Sequence, residues 1–233
     1  MPNFIYKNEI IEYTLTRNSK KNINFSVKPN GEICISAPKR VSKSELNSLI
    51  LEKAEWLVTT QEKMLNKKSN NLEINIKNGS ATLIGGKKYL IKIISGQTNK
   101  VYLHEDFISI QIKEKYIDNQ EYINSYFENW QKDIIYNLSK NYIDKYLKLL
   151  NLNSKKPALY VRKMTSRWGS CIPSRCKITI NKNLIYSPFE CLEYVVLHEV
   201  AHLIEANHSK NFYAIIEKVM PDWKTRKKLL NNF

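Results

Sequence analysis

Residues 194–212 read YVVLHEVAHLIEANHSKNF and hold three of the four histidines in the chain. His198, Glu199 and His202 stand in the order H-E-x-x-H, and His208 follows beyond them. On a helix each residue turns the chain by roughly 100°, so His198 and His202 fall one turn apart on nearly one face, with Glu199 beside them. Two imidazoles so placed take one metal ion, and the carboxylate reaches a water on that metal. His208 lies past the helix and returns as a third ligand only if the chain turns sharply in Glu205-Ala206-Asn207. Asn tolerates the left-handed conformation, which makes Asn207 the expected pivot.

Working outward, Ser187-Pro188-Phe189-Glu190 starts this helix, with Ser187 as cap, Pro188 at the first helical position and Glu190 closing a capping box. Leu192, Val195, Val196, Val200 and Leu203 supply its apolar surround. A short helix over 209–219 follows, with Phe212, Ile215, Ile216 and Val219 inward. Pro221 ends it, and Asp222 is placed to cap a last basic helix over 223–231. Upstream, Tyr122, Tyr126, Trp130, Ile134, Leu138, Tyr142, Tyr146 and Leu150 recur every four residues. That spacing predicts a long helix with an aromatic stripe lying against the H-E-x-x-H helix. Between the two, strands are expected over 158–162 and 177–180, with 181–185 continuing the second. The segment M-T-S-R-W-G-S occupies 164–170, where Gly169 suits a tight turn and Trp168 suits packing.

The first half reads as β structure. Alternation at Ile11, Tyr13, Leu15 and at Ile23, Phe25, Val27 gives two strands. Pro29-Asn30-Gly31 is a turn signal ahead of a strand over 32–37. Ser42 and Glu45 form a capping box for a helix carrying Leu46, Leu49, Ile50, Ala54, Leu57 and Val58 inward, with Trp56 expected against the sheet. Residues 66–71 are polar and read as a loop. Further strands are expected over 72–76, 80–84 and 88–94, with Gly85-Gly86 making a tight hairpin. A second hairpin over 101–112 carries His104 in its turn, as an exposed bystander. No internal repeat is evident. The whole is an α+β chain: an N-terminal β-rich region with a helix over 1–115, then a catalytic domain over 116–233.

Composition is that of a globular protein, with 42% hydrophobic and 25% charged residues. No apolar run approaches the roughly 18–20 residues of a membrane span, and the first residues lack the pattern of a secretory leader, so a cytoplasmic location is expected. Cys34, Cys171, Cys176 and Cys191 form no C-x-x-C pair and are expected as free thiols. The formal charge is +15, from 37 Lys and Arg against 22 Asp and Glu. That balance is compatible with nucleic acid, an acidic lipid surface or acidic substrates, and equally with a lysine-rich solvated surface.

Three blocks, S-R-W-G-S-C at 166–171, Y-V-V-L-H-E-V-A-H-L at 194–203 and N-H-S-K-N-F at 207–212, resemble the YgjP-like metallohydrolases, which are similar to the SprT and WLM groups of zinc metallopeptidases. The likeness extends to K-P-N-G-E-I-C-I-S-A-P-K at 28–39 and E-K-A-E-W-L at 52–57, and is loosest over 66–120. The resemblance implies a zincin catalytic domain with His198, His202 and His208 as metal ligands and Glu199 as catalytic carboxylate. The chain departs from the related metzincin pattern H-E-x-x-H-x-x-G-x-x-H, because Glu205 stands where that glycine would be.

A zinc ion on three imidazoles keeps a position open for water, whose proton Glu199 is placed to take. Glu205, Glu217 and Asp222 are the candidate acceptors for the other ring nitrogens. Arg167 is the next candidate for the catalytic set, because a guanidinium near the metal holds a carboxylate, a phosphate or an oxyanion; the alternative is an arginine that braces its own turn. The reading is a zinc-dependent hydrolase acting on a peptide or protein. Hydrolysis of a nucleotide phosphoanhydride, or a nucleic-acid-associated protease, is the alternative, with nucleotide or nucleic acid as partner.

Overall fold

The structure, a computed structural model, describes residues 2–19, 21–28, 30–70 and 76–233, except for the side chains of residue 63 and of residues 66–70. It divides into two compact units, residues 1–74 and residues 75–233.

In the first unit, β1 (Asn3–Tyr6) and β2 (Glu9–Asn18) form a hairpin closed by Lys7 and Asn8, both at positive φ (48° and 69°). Two left-handed residues in succession match the twist of the flanking strands. β3 (Asn24–Val27) and β4 (Ile33–Pro38) form a second hairpin, and β4 inserts beside β2 in parallel, giving the order β1-β2-β4-β3. One face buries Phe4, Ile11, Tyr13, Ile33 and Ile35 in a core shared with Leu46, Ile50, Ala54 and Leu57. Those four come from α1 (Lys43–Glu52) and α2 (Ala54–Asn70), so the single expected helix is two, broken at Lys53. Ser42 caps α1 as expected, accepting from the Glu45 N–H at 3.1 Å. Trp56 is 49% exposed and does not wedge against the sheet, because Ala54 and Leu57 already take the inward face. The helix α2 runs through the segment read as a loop from residue 66, since lysine supports a helix. Of the strand expected over 72–76, residues 72–75 lie outside the described residues, and Ile76 is not in a strand.

The second unit opens with β5 (Ala81–Ile84), β6 (Lys87–Gly96), β7 (Lys100–Leu103) and β8 (Phe107–Lys113). Gly85 and Gly86, at φ 60° and 81°, close the β5–β6 hairpin as the sequence predicts. Their missing side chains also matter for packing: a Cβ would stand 2.6 Å from the Phe189 ring at Gly85 and 2.9 Å from Pro188 at Gly86. The strand order is β5-β6-β8-β7, with β6 and β8 parallel and the other pairs antiparallel. This is the arrangement of β1–β4 over again: two hairpins, the second strand of each side by side, joined through a left-handed two-residue turn. The repeat is invisible in the residues because the two turns use different chemistry and the strands share only alternation.

α3 (Gln120–Leu149) follows, capped by Asn119, whose side chain accepts from the Tyr122 N–H at 2.9 Å. Its buried column is Ile123, Phe127, Gln131, Ile135, Ser139 and Ile143, one residue on from the aromatic stripe. Of the aromatic positions Tyr146 is fully buried, while Tyr122, Tyr126, Trp130 and Tyr142 flank that column half-buried, because a helix against a core buries a stripe at least 100° wide and two neighbouring columns share it. The three-stranded sheet has β11 (Lys177–Asn181) at its centre, parallel to β9 (Ala158–Arg162) and antiparallel to β10 (Gly169–Ile172). Residues 182–186 leave β11 as a 3₁₀ turn and do not extend it.

α4 (Phe189–Ala201) lies at the middle of this unit, against α3, β10, β11 and the terminal helices α5 (Lys210–Val219) and α6 (Trp223–Leu230). Ser187 does not cap it; its hydroxyl donates to the Leu184 carbonyl at 3.0 Å, closing the preceding turn, and Pro188 takes the capping position. Ser209 does cap α5, accepting from the Phe212 N–H at 3.3 Å.

Glu193 ties three helices together. It accepts from Lys145 Nζ at 2.6 Å and Tyr146 Oη at 2.9 Å on α3, and from Arg226 Nη1 at 2.5 Å on α6. Asp222 sits at the start of α6, but its carboxylate pairs with Arg226 at 2.8 Å and leaves the helix N–H groups alone. Burial pushes the Glu193 pKa up, and the bonds from Lys145, Arg226 and Tyr146 outweigh it, so the net shift is downward. A carboxylate with a depressed folded pKa stabilises above its unfolded value of about 4.3 and loses that contribution as pH falls through the folded value. Glu193→Gln is therefore expected to cost roughly 2–3 kcal/mol at neutral pH. Urea titrations at pH 7 and pH 3 should show the gap to the native protein closing in acid; a constant gap would refute the ionic account.

Candidate metal centre

α4 ends at Ala201, and His202 is its C-cap residue. His198 and His202 sit one turn apart as the spacing predicts. His208 comes back to them, but not through a left-handed Asn207, which is not among the positive-φ residues. Successive turns carry the chain round instead, with Leu203 and Ile204 N–H donating to the Val200 and Ala201 carbonyls at 3.0 Å, and Ser209 N–H to the Asn207 carbonyl at 2.8 Å.

The three imidazoles are nearly equidistant, with ring centroids 4.9 Å apart for His198–His202, 4.8 Å for His198–His208 and 4.9 Å for His202–His208. One ligand nitrogen from each lies within 4.8 Å of the others, and among the described residues no cysteine or carboxylate joins that group. Phe212, fully buried, lies 4.9, 4.6 and 4.9 Å from the same three rings. Four rings thus occupy the corners of a near-regular tetrahedron, three of them ligand-bearing and one apolar. The sequence marks Phe212 as an inward helix residue but gives no sign of this role.

The donor set suits a divalent cation. His202 Nδ1 is 3.1 Å from the Glu205 carbonyl, which can only accept, so that ring carries its proton on Nδ1 and leaves the Nε2 lone pair free. Of the three acceptors considered from sequence, Glu205 serves, through its backbone; Glu217 and Asp222 face Lys224 and Arg226. His198 Nε2 and His208 Nε2 are 2.9 Å apart. Burial, then the neighbouring imidazoles His202 and His208, hold the His198 pKa down at about 3. Burial also lowers that of His202, against the bond to Glu205. Imidazoles kept from charging, as His198 and His202 are, suit a metal, which binds the neutral ring.

Glu199 is 5% exposed, and burial, eased by the charge of Arg167, pushes its pKa up to about 8. Its neighbour across the site is β10. A Cβ at Gly169 would stand 2.5 Å from Glu199 Oε1 and 2.8 Å from its Cγ, so only glycine lets the strand pass so close. Gly169 serves close approach here, not a turn. Side chains alternate along a strand, which puts Cys171 on the same face of β10 as that missing Cβ. Burial, then Glu199 and Cys176, push its thiol up to about 12, so it is an inert neutral neighbour.

Arg167 does not brace its turn. Asn181 does: 4% exposed, it donates from Nδ2 to the Met164 carbonyl at 2.8 Å and the Arg167 carbonyl at 2.9 Å, and its Oδ1 accepts from Met164 N–H at 3.3 Å. The Arg167 side chain is exposed, with no hydrogen bond or ion pair among the described residues. Tyr194, one turn before His198, lies edge-on to its ring at 6.0 Å. His104 is exposed and stacks on Phe107 at 4.2 Å, away from the triad.

A family model of the YgjP-like metallopeptidase domain matches residues 21–233. The chain belongs to the YgjP-like metallopeptidase family. It is a hydrolytic enzyme of that family, with the α+β fold expected. Two solved structures resemble it over part of its length. The metallopeptidase zymogen jannalysin of Methanocaldococcus jannaschii is 19% identical, covers 40% of this chain and 94% of its own, and gives a TM-score of 0.37. The zymogen abylysin of Pyrococcus abyssi is 20% identical, covers 40% of this chain and 90% of its own, and gives 0.36. No curated protein matches the sequence.

Proposed function

We propose that this YgjP-like protein is a zinc-dependent peptidase in which His198, His202 and His208 hold the ion and Glu199 moves the proton. The observation that carries the reading is the equidistant imidazole triad with the Glu199 carboxylate buried alongside it against Gly169. Three imidazole nitrogen donors favour zinc among the abundant divalent cations. A zinc ion there supplies Lewis acidity, polarising a carbonyl and lowering the pKa of water to about 7.

The chain's own groups do the rest. Glu199 Oε1, fixed beside the β10 backbone, accepts a proton from the attacking water and passes it to the departing amine nitrogen. β10 is an outer strand of its sheet, so it has backbone groups to offer an extended peptide; the central β11 has neighbours on both sides. Arg167, held by Asn181 at the head of β10, faces the negative charge of the substrate. The catalytic apparatus is assigned to residues 116–233. Among the described residues no helix is long and apolar enough to cross a membrane, and the four cysteines are free, which fits a reducing cytoplasmic setting.

Metal analysis of the purified protein should give one zinc per chain. A chelator should abolish cleavage of a casein-type substrate and zinc should restore it; cleavage that survives complete metal removal would overturn the reading.

A further inference from the structure

Two cations lie beside the groups of this site, Arg167 by Glu199 and Lys227 by the Tyr213 ring that stacks on His208, and neither has an ion-pair partner among the described residues. Arg167 lies two residues before Gly169, and two steps of chain span at most about 7.6 Å. Since a Cβ on Gly169 would touch Glu199, the Arg167 side chain is within reach of the space over that carboxylate. Its backbone is clamped by the buried Asn181, while its guanidinium is left free. Lys227 comes from α6. Its Nζ lies 5.7 Å from the Tyr213 ring and 5.8 Å from the Trp223 ring, which stack on each other at 5.0 Å. Tyr213 in turn stacks on His208 at 6.3 Å.

Glu199 feels the charge of Arg167 but makes no ion pair with it, and the other acids of these elements have partners of their own. Glu217 faces Lys224, Asp222 and Glu193 are taken by Arg226, and Glu205 Oε1 accepts from the Asn207 N–H at 3.5 Å. A free surface lysine means little in a chain of charge +15. What distinguishes Arg167 and Lys227 is their place: Arg167, its backbone held by a buried amide, is beside Glu199, and Lys227 lies over the Tyr213 ring that stacks on His208.

We propose that the substrate is an acidic peptide segment, with Arg167 and Lys227 receiving carboxylate side chains near the bond that is cut. This rests on the peptidase reading above and adds its substrate class. The guanidinium fork matches a carboxylate with two parallel bonds. The shelf of Tyr213 and Trp223 restrains the Lys227 stem, so less side-chain freedom is lost when an anion arrives.

Two peptide libraries test it, one containing Glu and one with every Glu replaced by Gln, cleaved at low and high salt. The acidic library is expected to have kcat/KM roughly 3- to 10-fold higher, the ratio two partly exposed ion pairs supply. The advantage should shrink at 1 M salt, where charges are screened beyond about 3 Å. Arg167→Gln and Lys227→Gln should each lower the acidic rate more than the neutral one, and the double variant should bring the ratio near unity. Equal cleavage of both libraries would overturn the acidic preference and leave the peptidase standing. If neither is cleaved, the peptidase reading fails, and fluorescence anisotropy with Glu199→Gln protein decides the charge preference alone: equal binding of both libraries refutes it. Displacement of the acidic peptides by pyrophosphate at far lower concentration would assign the two cations to phosphate chemistry and also refute it.

Discussion

Glu199→Gln is expected to lower peptide hydrolysis by roughly 10²- to 10⁴-fold while the protein keeps its zinc. The amide has nearly the shape of the carboxylate and fits the same slot against Gly169, so the fold has no reason to shift. What it lacks is a site for a proton. Stability separates this from a general loss of structure. A carboxyl whose folded pKa is raised to about 8 contributes stability that is fully present below its unfolded value of about 4.3 and is lost as pH rises through 8. Between pH 5 and pH 9 the metal-free native protein should therefore lose stability relative to the metal-free variant, since the depressed His198 and His202 act alike in both. Thermal melts of both, with zinc content by atomic absorption, are the measurement. Full activity in a zinc-loaded variant would remove Glu199 from the mechanism.

The second large effect is expected at Phe212. Its ring is buried and touches all three imidazoles, so it fixes where each can lie and keeps water from the apolar corner of the cluster. Phe212→Ala should cost about 3–5 kcal/mol in stability through the cavity it leaves. That loss alone would not identify a role at the metal, so Phe212→Leu is the informative variant. It keeps an apolar group but not the flat surface that three rings share. Zinc affinity, measured by competition with a chromophoric chelator, should fall by roughly 10- to 100-fold, the range seen when a ligand's support is removed. A folded Phe212→Leu protein with native affinity would show that the backbone alone positions the histidines.

How much of this is legible in the residues follows from which contacts are local. His198, Glu199 and His202 are neighbours on one helix, so their spacing carries their geometry. The Ser42 cap and the Gly85-Gly86 turn are local too, and the structure has them. Gly169 against Glu199, Asn181 under Arg167 and Lys227 over Tyr213 join residues distant in the chain, and no pattern in the sequence announces them. The misreadings have the same origin. Trp56 is apolar at helical spacing, but smaller residues had taken the inward face. The α3 aromatics keep four-residue spacing, yet of them only Tyr146 is fully buried, bonded to Glu193 on α4, and the deeper column over the rest of the helix is the one beside them. Asn207 has the residue type for a pivot, whereas the turn is made by backbone bonds that any residue supplies.

The duplicated sheet has a consequence for how the chain reaches its native state. Each four-stranded sheet needs its second and fourth strands side by side in parallel, a pairing that closes only after the intervening hairpin has formed. A chain with two copies of that plan offers each late-arriving strand two seats, and exchange between homologous modules is a characteristic failure of such chains. The divergence between the copies is then protective. A Lys7-Asn8 corner in one and a Gly85-Gly86 corner in the other, with ISAP ending one inserted strand and IQIK the other, leave few interchangeable parts.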